Sequence, residues 1–303
     1  MNREETIQKT IQVLKKNNFL VNNFLQSNSC FDIVAKKEEN TLLIKVYENI
    51  DSFRNEQGDE LKKLSKVINA NCIIIGSKTK VFELENNTVY FRQDIPAVNV
   101  YTFEKSINSQ EPIVRHFKGK DIVDIDSEKL SLLRKEMDLS LKELAEKLGV
   151  ATETLYRYEK GASTSLETAQ KMENELKNTL AKKVDIFKKN YNEDVIDDLP
   201  SEDLLEKMHD IGLRMALFSH SPFDAYGQKE KLFISSGKGK LDLPKKAFEL
   251  KKISTVVDTD SILITKEYKY KSINGIPIIQ EHDFDTISKP KDIRKFLDER
   301  EDD

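Results

Sequence analysis

Residues 130–161 read LSLLRKEMDLSLKELAEKLGVATETLYRYEKG, a stretch in which short apolar stripes alternate with cap and turn residues. The spacing predicts a first helix that begins at Ser127, carries Glu128 in its first turn and ends near Asp138. Its inward positions follow the i, i+3, i+7 pattern of one apolar stripe and are Leu130, Leu133 and Met137. We expect this stripe to pack against the rest of the domain.

A second helix is predicted to begin after Ser140, which is a favourable N-cap residue. Glu143 follows three positions later, as in a capping box, and the apolar face consists of Leu144, Ala145 and Leu148. The small side chain of Ala145 allows a crossing helix to approach closely. Gly149 ends the helix, since so short a turn generally requires a positive φ angle.

A third helix is predicted over residues 151–158, with Leu155 and Tyr158 buried. Its opposite face presents four side chains that can all contact bases, namely Thr152, Glu153, Tyr156 and Arg157. Together the three helices describe a helix-turn-helix, which places a helix in the major groove of DNA. The alternative is an ordinary four-helix packing unit whose third helix faces solvent.

The stretch resembles the lambda-repressor-like, XRE-type family of helix-turn-helix regulators. The family pattern is an LR pair in the first helix, then S-x-x-ELA-x-x-LGV, then a closing E-x-G. The three parts correspond here to Leu133-Arg134, Ser140 to Val150, and Glu159 to Gly161. Leu141 departs from the family, which commonly has a Gln there, and leucine cannot donate to a phosphate or to a neighbouring base contact.

The resemblance implies roles for particular residues. It implies an ion pair between Arg134 and Glu159 that ties the first helix to the end of the third. It further implies base contacts from Thr152, Glu153 and Arg157, and phosphate contacts from Ser140 and Lys160.

The balance of charge limits how the chain could bind nucleic acid. The 303 residues carry a formal net charge of −4, and residues 128–177 contain nine Lys and Arg against ten Asp and Glu. Affinity for DNA must therefore rest on local placement, with phosphate candidates Lys160, Lys182, Lys183, Lys188 and Lys189. Because one copy should bind weakly, we expect a homodimer that binds two half-sites of double-stranded DNA.

Other compositional features exclude several classes of protein. Cys30 and Cys72 share no metal-ligand spacing, and His116, His209, His220 and His282 are scattered, so neither a metal nor a cofactor is predicted. No signal peptide and no apolar run long enough to span a bilayer is present, so we expect a cytoplasmic protein without a membrane partner. No sequence motif indicates a small-molecule effector.

The flanking segments alternate helix and strand patterns and predict α/β domains on both sides of the helix-turn-helix. The predicted division is an α/β domain at 1–115, the helix-turn-helix domain at 116–190 and a second α/β domain at 191–303. VYFRQDIPAVNV, for example, is predicted to be one strand. Three matched anchors indicate that the second α/β domain repeats the first: Phe31-Asp32 with Phe223-Asp224, ELKKLS from Glu60 with ELKKIS from Glu249, and Ile95-Pro96 with Ile276-Pro277.

The repeated unit resembles the restriction-endonuclease-like fold of archaeal Holliday-junction resolvases. In that family an Asp on one strand and a Glu-x-Lys on the next hold magnesium and activate water. Asp32 matches the Asp, but the next strand has Lys45 or Leu43 where the Glu should stand. In the second copy Asp224 is kept, whereas Ser235 and Gly237 occupy the Glu-x-Lys positions. We therefore expect vestigial, inactive centres in which each Asp accepts backbone N–H groups or caps a turn at the strand edge.

The whole chain resembles archaeal transcriptional regulators in which an XRE-type helix-turn-helix lies between degenerate nuclease-like domains. The predicted fold class is α/β plus all-α, and the predicted function is sequence-specific DNA binding through the helix at 151–158, without enzymatic activity. Two alternatives remain: a DNA nuclease or resolvase-like enzyme guided by the helix-turn-helix, and a module for protein or RNA interaction.

Overall fold

A computed structural model describes residues 1–25, 29–187, 195–237 and 242–300. These residues form two compact units. The first unit comprises residues 1–6, 47–52 and 74–187, and the second comprises residues 7–46, 53–73, 195–237 and 242–300. Lys188 and Lys189, two of the candidate phosphate contacts, lie outside the described residues. No helix in the described part of the chain is both long and apolar enough to cross a membrane.

Helices and strands alternate in the first part of the chain. The elements are α1 (Arg3–Lys16), β1 (Leu20–Asn23), β2 (Ile33–Lys37), β3 (Asn40–Val46), α2 (Asn55–Val67), β4 (Asn71–Ile75), β5 (Thr88–Arg92), β6 (Ile95–Val98) and α3 (Val100–Ile107). A β-hairpin follows, β7 (Val114–Phe117) and β8 (Lys120–Val123), and then four helices, α4 (Ser127–Glu136), α5 (Leu141–Leu148), α6 (Thr152–Glu159) and α7 (Leu166–Leu176).

The last part of the chain returns to α/β structure. Its elements are α8 (Asp203–Asp210), β9 (Met215–Leu217), β10 (Ala225–Gly227), β11 (Leu232–Gly237), α9 (Asp242–Val257), β12 (Asp260–Thr265), β13 (Ser272–Ile273), β14 (Ile276–Gln280) and α10 (Ile293–Arg300). The described part of the chain is therefore a mixed α/β protein with two sheets.

The prediction that VYFRQDIPAVNV forms one strand is wrong. The chain reverses at Gln93 and Asp94, whose φ angles of 53° and 64° are those of a two-residue hairpin turn, so the segment forms the antiparallel pair β5 and β6. Its end already belongs to helix α3, which Asn99 caps by accepting a hydrogen bond from the Thr102 N–H. Neither Gln93 nor Asp94 is the glycine that usually marks such a turn.

The two α/β parts have the same strand order. In the second unit β1, β2, β3 and β4 are neighbours in that order; residues 74–75 of β4 continue into the first unit, where β6 and then β5 follow. The later strands run β9, β10, β11, β12, β14, β13 in the corresponding order. Corresponding pairs also have the same sense, since β4–β6 and β12–β14 are parallel whereas β5–β6 and β13–β14 are antiparallel.

The matched sequence anchors occupy corresponding places in this order. Asp32 and Asp224 each lie immediately before the second strand of their part, and each donates its backbone N–H to the third strand, at Ile44 O (2.8 Å) and Ile234 O (2.9 Å). The ELKKLS and ELKKIS segments lie in α2 and α9. The two Ile-Pro pairs begin β6 and β14.

Within the second unit the corresponding elements of the two parts contact each other reciprocally. Lys63 of α2 lies over the Phe218 ring, with its Nζ 5.3 Å from the ring centroid. Its counterpart in α9, Lys252, lies over the Phe24 ring at 4.3 Å. Phe24 and Phe218 correspond as well, because each donates its backbone N–H to the carbonyl of the repeated Asp. The described part of the chain thus contains an internal pairing with approximate two-fold character.

Further hydrogen bonds join the same faces. Glu60 of α2 accepts the His220 backbone N–H (2.6 Å), and its second oxygen lies 3.0 Å from His220 Nδ1. From the other side, the Asn22 amide donates to Lys252 O at 2.9 Å. Cys30 donates its backbone N–H to His220 O (2.6 Å), and burial raises the pKa of its thiol to about 12, as expected of a small buried side chain.

We predict that Phe24 is a main source of stability in this pairing. Its side chain is fully buried between Phe31 and Lys252, so Phe24→Ala should lower the free energy of unfolding by about 3–5 kcal/mol in urea titrations. The neighbouring Leu25 is 39% exposed, and Leu25→Ala should change it by no more than about 0.5 kcal/mol. Equal losses in the two variants would contradict the assignment.

Candidate nucleic-acid interface

Local capping fixes the turn between α4 and α5. Ser140 Oγ accepts the Glu143 N–H (3.2 Å) and the Glu143 carboxylate accepts the Ser140 N–H (2.8 Å), which is the predicted capping box. Gly149 ends α5 at φ 69°, in the left-handed region, as predicted. Because the Ser140 hydroxyl acts as an acceptor in the cap, its own proton can still be donated to a phosphate.

The four helices share one apolar core. Its buried members include Leu130, Leu144, Ala145, Leu148, Leu155, Met172 and Leu176. Leu141 packs against this core as a partly buried side chain, which accounts for an apolar residue where the similar family commonly has Gln. Met137 does not belong to the stripe predicted for α4: it lies at the C-cap, where the backbone leaves the helix, and is 44% exposed.

Helix α6 buries one side and exposes the other. Leu155 is fully buried and Tyr158 is partly buried against the same core. The predicted recognition side chains Thr152, Glu153, Tyr156 and Arg157 are all exposed. Lys160, at the C-cap of α6, is also exposed and places its Nζ 5.6 Å from the Tyr156 ring centroid. The helix therefore presents a contiguous polar and aromatic surface.

Arg134 and Glu159 fix the direction of this surface. Arg134 Nε and Nη2 donate to the two Glu159 oxygens at 2.6 and 3.2 Å, and Nη1 donates to Leu139 O at 2.8 Å. The two side chains are only 10% and 9% exposed. The hydrogen bond that Arg134 donates to Glu159 raises the pKa of Arg134, so the guanidinium stays charged. The pair ties α4 to the last residue of α6.

The remaining lysine candidates differ in their surroundings. Lys183 Nζ pairs with Glu111 at 2.9 Å, so a phosphate would have to compete with a carboxylate there. Lys182 is exposed and its backbone N–H donates to Asp124 O at 2.7 Å.

The β7–β8 hairpin was not predicted from the sequence. Val114 and Val123 belong to the core of the four helices, and Val123 exchanges both backbone hydrogen bonds with Thr164, at 2.7 and 2.9 Å. Lys118 and Gly119 form its turn with φ angles of 49° and 76°. The signal in the sequence is Gly119 between two short runs, although Lys is an unusual residue for the first turn position.

Asp32, predicted to be a vestigial nuclease position in the first α/β part, forms an ion pair. Asp32 Oδ2 accepts the Val46 N–H at 2.8 Å, and Oδ1 lies 3.1 Å from Lys45 Nζ; both side chains are buried. Lys45 Nζ also donates to Ser29 O at 2.6 Å. A cation thus stands where the similar nucleases need a second carboxylate, and these residues do not fit a magnesium ion.

Asp224, the second predicted position, also forms an ion pair, but its lysine comes from another element. Asp224 Oδ2 accepts the Ser236 N–H at 2.7 Å and lies 2.9 Å from Lys246 Nζ, which comes from α9. Ser235 is buried at the position that corresponds to Lys45. In the described part of the chain, no cluster of three or more His, Cys, Asp or Glu side chains could hold a metal ion.

We predict that Arg134→Ala destabilises the helical core and weakens binding to every DNA sequence. Removal of the guanidinium leaves the Glu159 carboxylate buried and unpaired, which should cost about 3–5 kcal/mol of unfolding free energy. Thermal unfolding of the full chain measures the effect, with the exposed neighbour variant Lys135→Ala as the control.

A second variant separates charge from geometry. Replacing the pair together, by Arg134→Met with Glu159→Leu, removes the buried charges and should recover most of the lost stability. If Arg134→Ala is as stable and binds as tightly as the wild type, the pair does not have this role.

Comparisons with known proteins agree with both kinds of structure. The family described as "PD-(D/E)XK superfamily domain" matches residues 3–113, and the family described as "Helix-turn-helix" matches residues 130–183. No solved structure gives a significant match.

Relatives along nearly the full length come from archaea. A protein of Archaeoglobus fulgidus named "Putative HTH-type transcriptional regulatory protein" is 32% identical over 302 residues, 97% of each chain. Proteins named in the same way in Methanocaldococcus jannaschii (32% identity, 91% of each chain) and Thermoplasma acidophilum (30%, 98% of each chain) are also similar. The chain therefore belongs to this archaeal family of HTH-type transcriptional regulatory proteins, and it combines a PD-(D/E)XK domain with a helix-turn-helix.

Proposed function

We propose that this protein is a sequence-specific DNA-binding regulator of transcription that reads the major groove with α6. The observation that carries the proposal is the exposed face of Thr152, Glu153, Tyr156 and Arg157 on a helix whose opposite side is buried. An α-helix fits the major groove, where each base pair offers a distinct set of donors and acceptors. The names of the archaeal relatives support the same function.

We assign three domains to this function. The helix-turn-helix domain at 116–190 contacts DNA and lies in the sequence between α/β domains at 1–115 and 191–303. We propose that neither α/β domain cleaves DNA, because Lys45 and Lys246 neutralise the carboxylates that would otherwise hold a metal. The match to PD-(D/E)XK domains supports descent from a nuclease, and the two ion pairs argue against its activity.

Arg157 is the side chain most able to specify a base, because an exposed guanidinium can donate two hydrogen bonds to a guanine edge. We predict that Arg157→Ala weakens binding to the preferred site by about 1–3 kcal/mol and relaxes specificity at one base pair. Selection from a random duplex pool gives the preferred site, and titrations with single-base variants measure the effect. Lys171→Ala, which removes an exposed charge from α7, is the control.

The outcome separates base reading from other roles. If Arg157→Ala weakens binding equally on all duplexes, Arg157 contacts only phosphate. If the wild type shows no salt-dependent affinity for any duplex but binds RNA or a protein, the proposed function is wrong.

We further propose that two copies bind DNA as a homodimer. A near-neutral helical domain gains little from phosphate attraction, so one short recognition helix should bind weakly. Two copies related by a two-fold axis would read an inverted repeat with half-sites about 10 base pairs apart or a multiple of that. The joining surface would belong to the α/β domains, outside the surfaces around Lys63 and Phe218 and around Lys252 and Phe24 that are already in contact within one chain.

We predict a dimer in light scattering at micromolar concentration, two protected half-sites in footprints of the selected duplex, and intact DNA after incubation with magnesium or manganese. A monomer, or one protected half-site, would contradict the dimer. Strand breaks that require the metal and disappear in Asp32→Ala would show that the domain is an active nuclease.

A further inference from the structure

We propose that the tip of the β7–β8 hairpin, residues 117–120, is a second DNA contact that binds phosphates beside the major-groove site. This inference rests on the proposed function of α6 and adds a surface that neither the helix-turn-helix match nor the names of the relatives include. The hairpin precedes the matched helical segment in the sequence and is built into the same core.

The stem of the hairpin is held firmly to the helices. Asp124, just after β8, accepts two hydrogen bonds from Arg115 (2.6 and 2.7 Å) and one from the Ser163 hydroxyl (2.6 Å). Burial by itself raises the pKa of Asp124, but the bonds from Arg115 and Ser163 outweigh it and lower the pKa, so the carboxylate stays charged. The segment that returns from α6 is thereby fixed against β8.

The charges of the stem are neutralised, whereas those of the tip are not. Arg115 pairs with Asp124, and His116 Nδ1 lies 2.7 Å from the Asp121 carboxylate. Lys118 and Lys120 are exposed, and neither has an ion-pair partner among the residues that the structure describes. An exposed lysine without an ion-pair partner can bind a phosphate of the DNA backbone without first breaking an internal ion pair.

An aromatic ring at the tip restrains the side chain of Lys118. Phe117 is 50% exposed, and Lys118 Nζ lies 5.2 Å from the centroid of its ring. The contact limits the freedom of the lysine without neutralising it. The two-residue turn at Lys118 and Gly119 has the geometry of a tight hairpin, so the tip is short and defined.

The reach of the hairpin agrees with a phosphate contact. Val123 is hydrogen-bonded to Thr164, five residues after the last residue of α6. β8 extends from Val123 back to Lys120, roughly 10 Å at about 3.3 Å per residue, and the turn at Lys118 and Gly119 lies just beyond it. The major groove is about 12 Å wide, so a hairpin that extends this far from the segment after α6 is long enough to reach the phosphates that border the groove.

The test uses a double variant of the tip, Lys118→Ala together with Lys120→Ala, here called the tip variant. It is compared with a control variant that loses the same charge elsewhere on the surface. The control is the double variant Lys9→Ala with Lys15→Ala, two exposed lysines of α1. Affinity for the selected duplex and for an unrelated duplex is titrated between 50 and 200 mM salt with the full chain. Loss of two phosphate contacts should reduce the slope of log K against log salt by about 1.8. Between 50 and 200 mM salt, the affinity of the tip variant should therefore fall by a factor roughly 12 times smaller than that of the wild type.

The remaining measurements identify where the contact lies. The tip variant should keep the wild-type melting temperature and base preference, lose footprint protection beside the major-groove site, and recover the wild-type slope when both lysines are changed to arginine. A slope equal to that of the control, or a changed base preference, would overturn the inference. If the tip variant matches the control while Arg157→Ala relaxes specificity, only the hairpin contact is wrong; if the wild type binds no DNA, the proposed function is wrong.

Discussion

The ion pair between Arg134 and Glu159 is the interaction on which the candidate DNA surface depends. Helix α6 has only eight residues and buries a single fully covered side chain, Leu155, so packing alone leaves its rotation weakly determined. The bidentate contact holds its last residue against α4, and the third nitrogen of Arg134 holds the carbonyl of Leu139 at the α4–α5 turn. One guanidinium thus joins all three helices. Its low exposure gives the geometry little freedom, because separation would leave a buried charge without a partner.

The carboxylates of Asp32 and Asp224 likewise require a partner of opposite charge. Asp32 is buried and Asp224 is partly buried, so a nearby cation stabilises each carboxylate, and a metal can be that cation only if a second carboxylate is near. In the first α/β part Lys45 supplies the positive charge from the adjacent strand, and in the second Lys246 supplies it from a helix. The two lysines thus come from different elements, β3 and α9. In both, the Asp still accepts a backbone N–H from the third strand, which gives it a structural reason to be kept.

Features with a common local signal could be predicted from the sequence, whereas those that rest on unusual turn residues or on distant contacts could not. The cap at Ser140 and the stop at Gly149 depend on residues within one turn, and both are as expected. Met137 fits the periodicity but lies where the helix ends, so its side chain is exposed. The β5–β6 and β7–β8 turns were missed because Gln93, Asp94 and Lys118 adopt positive φ angles that are usually reserved for glycine or asparagine. The bond between Glu60 and His220, 160 residues apart, has no local signal.

Helices α2 and α9 each contact the other α/β part through an equivalent lysine and phenylalanine, so the two parts pair within one chain. When two copies of one fold pair through equivalent surfaces, each contact occurs twice, and here Lys63 with Phe218 repeats Lys252 with Phe24. Pairing within one chain removes the dependence on protein concentration that a pair of separate chains would have. The described part of one chain therefore contains two paired α/β parts but a single helix-turn-helix. A dimer of chains that each had one α/β part and one helix-turn-helix would contain two. In the proposed dimer, the symmetry that reads an inverted repeat would arise a second time, between whole chains, through surfaces that the internal pairing leaves uncovered.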